Sequence, residues 1–137
     1  MLTVADQFHL VTARGGLLTL LLQIIGSAPP FANSYAFKQA FHVAVSVPMI
    51  GVYALTFARL PYSAFAKGLI YALIVWLLNA CLILPLIGQG FAGHHVLHLG
   101  GILYFAVAHT TFFVLAAILY QRWSRKSRRG KVGLHAR

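Results

Sequence analysis

Between Lys67 and Arg122 the chain carries no Asp, Glu, Lys or Arg. A spanning helix needs about 20 largely apolar residues, so this stretch alone holds enough for two. The whole chain is 60% hydrophobic and only 9% charged, a balance outside the range of water-soluble globules. The fold class expected is therefore an all-α integral membrane protein.

Four segments are apolar and long enough to cross a bilayer. The first covers about 10–28 and is stopped by Pro29-Pro30. The second covers about 34–57, with Ser34 as its cap and Pro48 inside, where the missing N–H predicts a kink. The third covers about 61–87, opening at Pro61, a favoured first-turn position, and holding Trp76, Cys81 and Pro85. The fourth covers about 94–123. Short connections predict an up-down bundle of four antiparallel helices in one transmembrane domain, 1–123, followed by a basic tail, 124–137.

Charge decides orientation. Arg59 and Lys67 flank the connection between segments two and three, and Arg122, Arg125, Lys126, Arg128, Arg129, Lys131 and Arg137 follow segment four, while the other side holds Lys38. The positive-inside rule places both termini in the cytoplasm. The stretch before Gly15 is too long for the charged region of a cleavable signal peptide, so the first segment is expected to stay.

Asp6 is the sole acidic side chain, which excludes paired-carboxylate catalysis and a carboxylate cage for a metal. Cys81 is the sole cysteine, so there is no internal disulfide, and its apolar setting reads as a small buried hydrophobe. No catalytic set remains, and the chain is expected not to be an enzyme. The net charge of +10 is concentrated in the tail, which points to anionic lipid headgroups or an acidic partner rather than nucleic acid. Arg122, Arg125, Lys126, Arg128, Arg129 and Lys131 are the candidates for that contact.

Histidine is the abundant reactive side chain, with seven copies. His94, His95 and His98 cluster where the fourth segment begins, and on a helix their i,i+3 and i,i+4 spacings would suit a transition metal. The alternative is interfacial histidines bonded to water or headgroups. His109 lies deeper, on one stripe with His95, His98, Ile102 and Phe105, either as a packing seam or as a functional position. His42, His98 and His109 are the candidates for holding haem b or a quinone, since bundles of this kind place histidines from two helices on such groups. Counted from the expected helix ends, His42 lies about 12 Å deep, His98 about 6 Å and His109 about 22 Å, so only His42 with His98 is tolerable as an axial pair. Asn79, Gln23 and His109 with Pro48 could line a transport path, though a chain this short would have to oligomerise around it.

His42 with the apolar run to Tyr53, Leu60-Pro61, Lys67-Gly68, Trp76, Leu84-Pro85-Leu86-Ile87-Gly88, Gly90-Phe91 and His109 together resemble an uncharacterised family of small four-helix bacterial inner-membrane proteins, the YagU type. The resemblance covers about Tyr35 to Tyr120 and implies that His42 and His109 are the polar positions to watch. It implies no activity. The function expected is that of a non-catalytic accessory subunit of a larger inner-membrane complex, respiratory or photosynthetic, partnered by other membrane subunits. The alternatives are a small haem b or quinone-binding electron carrier and a homo-oligomeric transporter or stress protein.

Overall fold

The computed structural model describes residues 16–27 and 29–134, and they are helical with no strand among them. Four helices follow one another: α1 (Gly16–Ile25), α2 (Tyr35–Thr56), α3 (Ala64–Leu86) and α4 (Leu99–Leu134). Three of them, α2, α3 and α4, are long and apolar enough to cross a membrane. The start expected for the first segment lies outside the described residues, and its described part is the short apolar α1.

The helix ends follow local chemistry. Gly26, at φ 73°, ends α1 by turning its N–H back to the Leu22 carbonyl. The Ser34 hydroxyl accepts from the Phe37 N–H at 3.2 Å and starts α2, as its sequence suggests. α2 then runs through Pro48 without interruption. Ser46 and Thr56 donate to the carbonyls of His42 and Val52, so neither hydroxyl is left unpaired in lipid.

Pro61 does not open α3. It stays in the turn, and Ser63 caps the helix by accepting from the Ala66 N–H at 3.2 Å. A side-chain acceptor satisfies an orphan N–H, which the residue before Pro61 cannot do. Near its far end α3 widens into one π-helical turn, Asn79–Ile83, within which the Asn79 amide donates to the Val75 carbonyl. Such single π turns are rare and occur often at functional sites.

α4 differs from its expected limits at both ends. It starts at Leu99, because residues 88–98 form a folded loop with Gly88, Gly90 and Gly93 all at positive φ. Inside that loop Leu97 is buried and packs where a Cβ on Gly93 would otherwise stand. The helix continues beyond Trp123 to Leu134, about 54 Å in all, well past the roughly 30 Å of a hydrocarbon core. The basic tail is thus an extension of a membrane helix.

The core lies between α3 and α4, which cross closely where Gly68 meets the backbone of Val114. Tyr71, Ala72 and Val75 of α3 face Phe113 and Ala117 of α4, and Tyr53 of α2 completes the cluster. α2 joins this cluster through its C-terminal half. Tyr53 packs on Tyr71 and Tyr120, Phe57 on Tyr71, and the Tyr71 hydroxyl reaches the Met49 carbonyl at 2.8 Å. Only 6% of the spanning stretch of α2 is buried, against 28% for α3. A cleft opens beside the N-terminal half of α2.

Cys81 is exposed on the apolar surface of α3, not buried as its setting suggested. In lipid a thiol can face outward as readily as inward.

Candidate functional site

The cleft holds about 340 Å³ and is bounded by all four helices: Gly16 to Leu18 of α1, the first half of α2, Val75 and Asn79 of α3, and Tyr104 to Phe113 of α4. That volume is within the usual range for small-molecule sites, roughly 300–1,000 Å³. Its walls are mainly apolar, with Phe41, Val45, Met49, Phe105, Ala108 and Phe112 prominent. Six polar residues line it as well: Gln39, His42, Ser46, Asn79, Tyr104 and His109.

Two of the polar groups are occupied by local bonds. Ser46 donates to the His42 carbonyl at 2.7 Å, and Asn79 donates to the Val75 carbonyl at 2.9 Å. The Nδ1 of His109 lies 3.0 Å from the carbonyl of Phe105, on the same helix and not on another as polar depth would suggest. A carbonyl only accepts, so Nδ1 carries the proton and the neutral ring keeps a lone pair on Nε2. The Phe105 ring, 4.1 Å from the imidazole by centroids, holds it in place. His109 is half-buried, whereas His42 is exposed within the open half of the cleft.

The cleft brings His42 together with His109 and not with His98. Counted from Leu99, His109 is about 15 Å into α4, and His42, counted from Tyr35, is about 10 Å into α2. Both histidines line the one cleft. His98 sits before the first residue of α4, is exposed, and is not part of the cleft.

His94, His95 and His98 do not form the helical pairs that their spacing allows, because His94 and His95 belong to the folded loop. The Nδ1 of His94 donates to the Phe91 carbonyl at 3.0 Å, and that of His95 to the Gly88 carbonyl at 3.2 Å. A Cβ on Gly90 would strike the His94 ring, so the loop is built around that imidazole. No group of three His, Cys, Asp or Glu able to hold a metal comes together among the described residues. Of the proposed stripe, Phe105 and His109 share a face, and His95 and His98 are off the helix.

In the tail, Arg122, Arg125 and Lys126 are exposed. Arg128, Arg129 and Lys131 continue the helix, and their side chains lie outside the described residues. Gln39, Ser46 and Tyr104 have no distinguishing signal in the sequence, since only the separation of α2 from α4 brings them to one cavity. Set against known protein families, curated proteins and solved structures, the chain matches none of them. Its three membrane-length apolar helices make it a membrane protein.

Proposed function

We propose that this chain is a non-catalytic subunit of a bacterial inner-membrane electron-transfer assembly, and that its part is to hold a quinone-type molecule in the cleft between α2 and α4. The observation that carries this reading is that His42 and His109 line one cavity with mainly apolar walls, among helices long and apolar enough to cross a membrane. Polar side chains at such depth mark function more often than those at the surface. A quinol is apolar over most of its surface and has two hydroxyls at its head. One hydroxyl donates to the Nε2 lone pair of His109, the tautomer for which is set by the Phe105 carbonyl. His42, on the opposite helix, meets the other side of the head. The aromatic walls accommodate the ring and the tail lies toward lipid.

Haem b is the second reading, favoured by the same tautomer: metal-bound histidines commonly donate their other N–H to a backbone carbonyl and present the remaining nitrogen to the metal. His42 and His109 would be its ligands. The two readings separate in one preparation. Protein purified in mild detergent is extracted with organic solvent and assayed for quinone by chromatography, and its reduced-minus-oxidised visible spectrum is recorded. Retained quinone that falls about tenfold in His109→Leu and His42→Leu, with His98→Leu unaffected, supports the first reading. A b-type spectrum abolished by the same substitutions supports the second. With neither present, the cleft has no electron-transfer ligand and the subunit reading stands on partners alone.

A further inference from the structure

At the opposite end of the bundle from the Gly88 to Gly93 loop, a second cavity of about 490 Å³ opens between the end of α2, the start of α3 and the part of α4 that leaves the apolar span. Arg59, Lys67 and Arg125 line it together with Tyr120, Ser124 and Leu55. Lys67 is only 5% exposed, and its ammonium donates to the carbonyls of Ala58 at 3.0 Å and Leu60 at 3.2 Å. An ammonium has three protons to donate, so one is left over. The two carbonyl bonds explain why Lys67 folds back under the turn after α2. They do not explain why Arg59 and Arg125 border the same space.

Three like charges around one cavity repel one another, and a buried cation ordinarily has a carboxylate partner. None is at hand. Asp6 is the only acidic side chain of the chain, and it is outside the described residues, which therefore hold no carboxylate at all. The helix α4 adds selectivity: Tyr120, Gln121, Ser124 and Arg125 are on the face that lines the cavity, whereas Arg122 and Lys126 are not among the lining residues. Leu55, 75% exposed, forms an apolar lip beside the charges. Basic pockets between membrane helices at the headgroup level suit phospholipid phosphates.

We propose that this cavity is a binding site for a phosphate group, held by Arg59, Lys67 and Arg125 with the hydroxyls of Tyr120 and Ser124 as further donors. The apolar lip favours an anionic phospholipid as its source, with the acyl chains lying along α2. The site is separate from the histidine cleft and does not depend on what that cleft binds.

The test is native mass spectrometry of the full chain in mild detergent, titrated separately with dioleoyl phosphatidylglycerol, with the corresponding diacylglycerol lacking the phosphate, and with inorganic phosphate as competitor. One tightly held phosphatidylglycerol is expected, with the diacylglycerol lost on mild activation. Arg59→Gln combined with Arg125→Gln, both at exposed positions that folding tolerates, should weaken retention roughly 25-fold, about fivefold per charge. Arg122→Gln combined with Lys126→Gln should change it less than about threefold, since those charges act only through the general surface potential. Competition by inorganic phosphate would identify free phosphate as a source, and no competition would identify the lipid; both support a phosphate site. Equal retention of the diacylglycerol, or equal effects of the two double variants, overturns it.

Discussion

A Cβ placed on Gly68 would stand 2.7 Å from the Cα of Val114, 3.0 Å from the Ala117 Cβ and 3.1 Å from the Phe113 carbonyl oxygen. Two of those three neighbours are backbone atoms of α4, which cannot step aside without moving the helix. Close approach at a small residue is how membrane helices gain packing where no hydrophobic drive acts between them. Gly68→Ala should therefore cost about 1–3 kcal/mol, seen as a lower melting temperature in detergent. Gly51→Ala, with open space around it, is the matched control and should melt like the parent.

The Tyr71 hydroxyl, which donates to the Met49 carbonyl, ties α2 to α3 beside the ring contacts of Tyr53 and Phe57. Tyr71→Phe keeps the ring stack with Tyr53, Phe57 and Phe113 and removes that one bond. A loss of about 1 kcal/mol is expected, with faster amide exchange confined to α2. Uniform exchange changes across all helices would show that the bond does not act locally.

The indole N–H of Trp76 is buried with no acceptor among the described residues. Leaving a buried donor unpaired costs on the order of 1–3 kcal/mol, so replacing the ring with one that has no donor removes the penalty along with some packing. Trp76→Phe should be neutral or slightly stabilising in thermal melts, unlike most losses of a tryptophan. A drop of several degrees would mean that the N–H finds a partner in the working protein.

Cys81, exposed on the apolar span of α3, gives a direct reading of what surrounds that face. In intact vesicles a lipid-soluble maleimide should label it and a charged, membrane-impermeant maleimide should not. Labelling by both would place Cys81 against water and refute the spanning assignment of α3.

The apolar runs made α2, α3 and the body of α4 readable, because about 20 uncharged residues leave a chain few other options. The helix starts were readable where a hydroxyl capped them, as at Ser34, and misread where a proline suggested a start that Ser63 in fact supplies. The histidines were legible, but not that the cleft lines His109 with His42 and leaves His98 outside. Residues 94–98 look helical by composition, and only the run of positive-φ glycines in the loop shows that α4 begins later, which puts His109 nearer its start. Lys67 reads in sequence as an ordinary loop charge, since its burial depends on the turn that folds Ala58 and Leu60 over it.

α2 is held at Tyr53 by Tyr71 of α3 and by Tyr120 near the far end of the apolar span of α4. During synthesis it enters the bilayer before either ring exists. It must wait there surrounded by lipid, with half of its clamp arriving one helix later and the other half only when α4 is nearly complete. The clamp on α2 is thus complete only when Tyr120, the last of the three rings to be made, is in place.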